Sequence, residues 1–253
     1  MTYRTKKLVK IIVFCAVLIA LWQALFWLKV WTSWLFPSPL AVGEAIVHGF
    51  ADLSIPYGIL ISMKRLLIGF SISIVLGSAL GLAIAKIRTL QEVLSPLVLG
   101  FQTIPSICWL PLALLWFGLN ERAIIFVVVM GTVLSMTISV MGALKQVPSA
   151  FVKAGRMLGA HGTDMYRFVI IPAILPAYVT GLKHGWSFAW RSLMSGEMLF
   201  ITTGLGQLLM FGRELNDMAQ VVAIMVVIVA IGVLFDQVIF GRIEKQLKRK
   251  WGS

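Results

Sequence analysis

Charge is scarce in this chain. Only 13% of its 253 residues are Asp, Glu, Lys or Arg, about half the ~25% usual in soluble domains. Acidic residues are scarcer still, 10 against 22 basic ones. The deficit runs the whole length, which excludes a soluble globular domain and leaves an integral membrane protein. The net charge of +12 is no argument for nucleic-acid binding. Lys and Arg sit at the ends of apolar runs, and no basic stripe interleaved with aromatics occurs. Cysteine numbers two. Cys15 and Cys108 lie in unrelated apolar stretches, which points to packed thiols and away from a disulfide or a metal site. None of His48, His161 and His184 has a partner at metal-ligand spacing. There is no G-x-x-x-x-G-K-[ST] loop and no Gly-Lys pair, so this polypeptide does not cradle ATP by that route. H-E-x-x-H is missing too, and Ser195-Gly196 follows Leu193 where an intramembrane serine protease would carry a glycine.

What the chain does have is apolar length: 59% hydrophobic residues and a mean hydropathy of +0.94. About 20 residues of helix cross the ~30 Å hydrocarbon core, and only helices satisfy their own backbone there without closing a barrel. Charge-poor windows predict six spans, near residues 9–28, 56–85, 93–117, 123–144, 168–190 and 218–240. Arg4, Lys6 and Lys7 before the first apolar run could mimic a signal peptide. The run over residues 11–28 is uncharged and ends in no convincing small-x-small site, so a retained first span is expected. Basic residues orient the set: four in residues 1–10, two in 86–92, four in 145–167 and five in 241–253, or fifteen of the 22. That bias places both termini and residues 145–167 in the cytoplasm. In the long outer loop, Val42, Ile46, Phe50 and Leu53 recur at helical spacing after Pro37-Ser38-Pro39, which predicts a short amphipathic helix lying in the interface. Trp22, Trp27, Trp31 and Trp34 crowd the end of the first span as an aromatic belt would.

Residues 145–167 form a polar, Gly-punctuated stretch wedged between spans. A membrane protein keeps such a segment outside the bilayer when something soluble docks there. Pro148 ends the preceding span and Ser149 is placed to cap a new helix. Ala154, Gly155, Leu158 and Gly159 give that helix a small, apolar face, and Lys153, Arg156 and Arg167 give it a basic rim. Gly159 and Gly162 allow a sharp turn, and Pro172 and Pro176 bend the start of the next span.

This spacing resembles the cytoplasmic loop of ABC importer permeases: E-A-A, three residues, G, nine residues, I-x-L-P. Lys153-Ala154-Gly155 fall at E-A-A, Gly159 at the glycine, Val169 at the isoleucine and Ile171-Pro172 at L-P. Lys153 thus stands where the motif has glutamate. Further segments resemble the nitrate, sulfonate, taurine and bicarbonate permeases: Phe36-Pro37-Ser38-Pro39, Ser62…Arg65-Leu66…Gly69-Phe70, Gly77…Gly81, Pro105…Leu110-Pro111, Trp116-Phe117-Gly118 and Ala189-Trp190…Glu197-Met198. The resemblance implies a single all-α permease domain over residues 1–253, with the five to six core spans of the type I importer fold and a cytoplasmic coupling helix. It also implies a homodimer in the lipid of a bacterial inner membrane, two ATP-binding subunits on the cytoplasmic face and a substrate-binding protein outside. ATP and magnesium belong on the ATPase partner, with no cofactor and no catalysis on this chain. By the same resemblance Lys153, Ala154, Gly155, Arg156, Leu158, Gly159 and Pro172 serve the docking.

Ionisable groups at membrane depth usually face a cavity or one another. Arg191 can offer two donors to a sulfonate or nitrate; a structural salt bridge or a snorkelling side chain is the plainer alternative. Glu197 lies six positions on, about 600° round a continuous helix, so it shares a face with Arg191 only if the helix breaks near Ser195-Gly196. In the third span Phe101, Gln102 and Thr103 precede Pro105, and broken spans occur where backbone lines a water-filled route. These five residues are the candidates for the translocation pathway, with interhelical hydrogen bonds as the alternative for Gln102 and Thr103. Trp186, Phe188 and Trp190 are expected to pack against helices and lipid. An ion-coupled secondary transporter without an ATPase would want acidic groups in its spans. Asp236, near a helix end, is the one clear case.

Overall fold

The structure is a computed structural model that describes residues 3–32, 34–199 and 202–251. The side chains of Arg4, Lys6, Lys7, Lys248 and Lys250 lie outside what is described. Among the described residues five helices are long and apolar enough to cross a membrane, and a sharply bent pair makes a sixth crossing if counted as one. The described chain divides into two compact units. One holds the residues up to Leu60 with Thr203–Val229; the other runs from Ile61 to Thr202 and resumes at Ala230.

In the first unit, α1 (Tyr3–Trp27) is exposed along nearly all of its apolar length. Trp22 Nε1 donates to the Pro37 carbonyl at 3.0 Å, just before the next helix. The expected loop helix is α2 (Pro39–Ala51): Ser38 caps it by accepting from Ala41 N, and Pro39 fills the first turn where no N–H is needed. Its inward residue is Val42, whereas Phe50 and Leu53 are exposed. Asp52 ends the helix. The backbone N–H of Ser54, 2.9 Å from its Oδ1, holds its carboxyl below the usual carboxylate range. The unit is completed by the start of α3 (Ser54–Lys86), α10 (Leu205–Glu214) and most of α11 (Met218–Leu234), around buried Ile55, Leu205 and Ile224.

The second unit is organised by α6 (Glu121–Lys145), whose Ile124, Val127, Val128 and Met136 are fully buried. A helix apolar on every side must be covered on several. On one flank α3 covers it with small residues every fourth position, Gly69, Ser73, Gly77 and Gly81. A Cβ at Gly77 would stand 2.6 Å from Met136 Cβ and 2.7 Å from the Val133 carbonyl. Small side chains at this spacing let two backbones close up where lipid supplies no hydrophobic drive. On the other flank lies α9 (Ile171–Leu199), antiparallel to α6, with Gly181 against Ser139, Gly185 against Met136 and Gly196 against Ile124. Trp186 is buried between helices, stacked on Phe235 at 4.8 Å and edge-on to Phe70 at 5.4 Å.

Three expectations need correction. The fifth span does not end near residue 190: helix continues through α8 (Gly162–Met165), a wide turn over Tyr166–Ile170 and α9 to Leu199. Its charges find partners or a cavity, so they do not end the span. Ser149 is not the cap of α7 (Ser149–Met157). Pro148 holds that position, and its carbonyl accepts from Phe151 N at 3.0 Å. Cys15 and Cys108 are exposed, because apolar neighbours along the chain do not imply burial inside the fold.

Candidate functional site

The third apolar segment is broken. Helix α4 (Arg88–Gln102) and the segment Ser106–Phe117, which carries a short 3₁₀ turn and then α5 (Leu110–Phe117), meet at 100°. Pro105 supplies no N–H and pushes Ile104 out of the helical region. The last turn tightens instead: Thr103 N bonds to the Gly100 carbonyl at 3.1 Å and Ile104 N to Phe101 at 3.2 Å. The Thr103 hydroxyl also donates to the Gly100 carbonyl, at 2.7 Å.

This elbow forms one wall of a cavity of about 310 Å³, with Phe101, Gln102 and Thr103 on it. Gly131 of α6 and Phe188, Arg191 and Ser192 of α9 form the opposite wall. At the closest point Ser192 stands against Gly131, where any Cβ would collide with its Oγ. Arg191 is fixed without being neutralised. Its Nε donates to the Ser187 carbonyl one turn back, 3.1 Å, and its guanidinium carbon lies 4.6 Å from the centre of the Phe188 ring. No carboxylate among the described residues pairs with it. Four of the five pathway candidates therefore share one cavity.

The fifth, Glu197, lies elsewhere. No break occurs at Ser195-Gly196; Ser195 Oγ donates to the Arg191 carbonyl within an unbroken helix. Glu197 consequently faces away from Arg191, wholly buried. Its Oε1 accepts from Arg65 Nη1 at 2.9 Å, and the Ser62 hydroxyl lies 2.9 and 2.7 Å from its two oxygens. Arg65 is 4% exposed and its Nε reaches Glu121 Oε1 at 3.4 Å, where Lys64 also pairs at 3.3 Å. Sequence reading did not select Ser62 and Arg65 as site residues, although their spacing of three on a helix already put them on one face. Asp236, the clear span acid, pairs with Lys183 at 3.2 Å.

The loop after α6 carries the second candidate site. Helix α7 ends in a two-bond reversal: Ala160 N reaches the Gly155 carbonyl at 2.9 Å and Gly159 N the Arg156 carbonyl at 3.0 Å. Gly159 sits at φ +84°, in the left-handed region that this reversal requires. The exposed side of α7 carries Lys153, Ala154 and Arg156, then Met157 and Leu158, which are 88% and 89% exposed. Phe151, half exposed, joins them; neither Phe151 nor Met157 stood out in the sequence. Gly155 instead faces inward, where a Cβ would stand 2.8 Å from Val169 Cγ2. It lets α7 lie against the wide turn Tyr166–Ile170, in which Ile171 N bonds five residues back to the Tyr166 carbonyl. Pro172 follows at once. Its missing N–H and its ring disfavour the ordinary bond to residue 168.

Residues 73–249 match the family model described as "Binding-protein-dependent transport system inner membrane component". The chain is 32% identical to a putative ABC transporter permease protein of Methanocaldococcus jannaschii over 92% of its own length and 89% of that protein's. It is 26% identical to the taurine transport system permease protein of Escherichia coli, over 87% and 82%. To a putative aliphatic sulfonates transport permease protein of the same organism it is 29% identical, over 92% and 88%. Among solved structures, an inward-facing MetNI methionine ABC transporter chain superposes with a TM-score of 0.67 at 20% identity, covering 78% of this chain and 97% of that one.

Proposed function

From the premise that this chain belongs to the binding-protein-dependent transport system inner-membrane component family, we propose that it is the membrane-spanning permease of an ATP-driven importer for a small anion. A sulfonate, taurine or nitrate fits best. The observation that carries the anion is Arg191, a cation oriented by Ser187 and Phe188 with no carboxylate opposite among the described residues, on the wall of a cavity at a helix elbow. A fixed guanidinium with free donors suits an oxyanion that presents two oxygens to its fork, as sulfonate and nitrate both do. Two relatives named for taurine and for aliphatic sulfonates support the same chemistry.

The remaining machinery lies on other chains. A separate ATP-binding subunit with its magnesium docks on α7 through Phe151, Met157 and Leu158, with Lys153, Ala154 and Arg156 beside them. Gly155, Gly159 and Pro172 set the pose of that helix. A substrate-binding protein delivers the anion from outside. The working unit is a homodimer with two ATPase subunits in the plasma membrane. Both termini are cytoplasmic, as the distribution of Lys and Arg favours. Ion coupling without an ATPase is disfavoured, because the span acids Asp236 and Glu197 are both held in ion pairs.

The test is uptake into vesicles loaded with ATP, using the permease with its ATPase and binding protein. Taurine, an alkanesulfonate and nitrate are offered in turn. Arg191→Gln should remove most uptake while leaving assembly with the ATPase intact. Wild-type transport by Arg191→Gln would sink the anion role.

A further inference from the structure

A second cavity differs from the first in every chemical respect. It measures about 410 Å³ and lies among α3, α6 and α9, walled by Leu82, Val140, Ile171, Ile174 and Leu175. Its polar groups are few: Tyr166, and the Ser78 and Tyr178 hydroxyls, which bond to each other at 3.0 Å. The rest of the wall is aliphatic, which suits neither an anion nor a file of water. A smaller cavity of about 220 Å³ shares the walls Leu82, Leu144, Tyr166 and Ile170 and opens beside Lys86 and Val152. Lys86 is the last residue of α3. Its Nζ lies 5.7 Å from the centre of the Tyr166 ring and pairs with no carboxylate among the described residues.

We propose that this slot is a binding site for one anionic phospholipid, an acyl chain lying along Ile171, Ile174 and Leu175 and the phosphate resting at Lys86. The larger cavity is walled by three membrane-spanning helices and so lies among hydrocarbon chains, with Val147 and Val152 beyond the spans at the mouth of the smaller one, and an apolar cavity left empty forfeits contacts on one side. An acyl chain gains little by leaving bilayer for slot, because both are equally apolar. Choice among lipids therefore falls to the headgroup. A lone cation at the end of a span, its stem along apolar wall, selects negative charge. The bound lipid stands behind α7, whose Val152 lines the mouth, so it props the docking helix from the membrane side. This assignment needs only that the chain spans a bilayer; it does not depend on the anion reading of Arg191.

The experiment reconstitutes the full chain in vesicles of phosphatidylcholine with one fifth phosphatidylglycerol. Each lipid in turn carries a photoreactive acyl chain, and labelled peptides are mapped. Label from phosphatidylglycerol is expected on Ile171, Ile174 and Leu175, falling about fivefold in Lys86→Gln, the ratio that ~1 kcal/mol per surface cation represents. Phosphatidylcholine label should not change in that variant. Ile174→Trp, which fills the slot, should abolish both labels there. Equal labelling by the two lipids, or phosphatidylglycerol label indifferent to Lys86→Gln, overturns the proposal, and Lys86→Gln removes no buried contact that folding needs. A disulfide between two copies of an Ile174→Cys variant would overturn it too, because a second chain would then fill the slot.

Discussion

Two groups of charged side chains on the second unit have opposite fates. Arg65 and Glu197 are almost wholly buried, and each has its opposite. Arg191, Lys153 and Arg156 are exposed and have no carboxylate partner among the described residues. Taking a charge from water costs several kcal/mol, so a buried pair holds only while both members and their hydrogen bonds are present. A solvated cation costs the fold little and leaves its donors free for another molecule. The first group holds helices together; the second is held in reserve. Burial and partner tell the two apart, and residue type does not.

Substitutions can break that contrast. The largest effect is expected from Glu197→Ala, which removes the buried carboxylate that Arg65 Nη1 and the Ser62 hydroxyl share. It should cost about 3–5 kcal/mol, read as a fall in the thermal midpoint in detergent. Ser62→Ala should cost less, about 1–3 kcal/mol, the usual penalty for deleting one buried hydrogen bond to a charged group. An unaltered midpoint for Glu197→Ala would erase the distinction. Arg191→Gln should leave the midpoint within about 0.5 kcal/mol of wild type and yet cut uptake roughly tenfold, equivalent to ~1.4 kcal/mol. Gly159→Ala meets no neighbour, but it forces a side chain into the left-handed region at about 1–2 kcal/mol. Loosening of α7 and weaker co-purification of the ATPase should follow, with Gly159→Trp abolishing it. Lys153→Ala should act least: no change in midpoint and a severalfold weaker hold on the ATPase at low salt, fading as salt screens the charge.

What could be read from the chain alone was whatever local chemistry dictates. Pro105 after Gln102-Thr103 announced the elbow, and Gly159 at the end of a short helix announced the reversal. Hydropathy marked the crossings, except where Lys183, Arg191 and Glu197 made α9 look finished too soon. What could not be read was tertiary. Arg65 and Glu197 are separated by 132 positions, and nothing near either names the other. The cavity around Arg191 draws its far wall from Phe101–Thr103, and the inward turn of Gly155 depends on Val169 lying beneath it.

The wide turn at Tyr166–Ile170 carries one residue more than an ordinary helical turn would need. It is a slack loop in an otherwise taut cable. Loss of one residue there can be absorbed by relaxing to the common pitch, so that the upper helix keeps its heading. The same deletion higher up, between Gly181 and Arg191, would swing everything beyond it by about 100° and point both Arg191 and Glu197 into the wrong company.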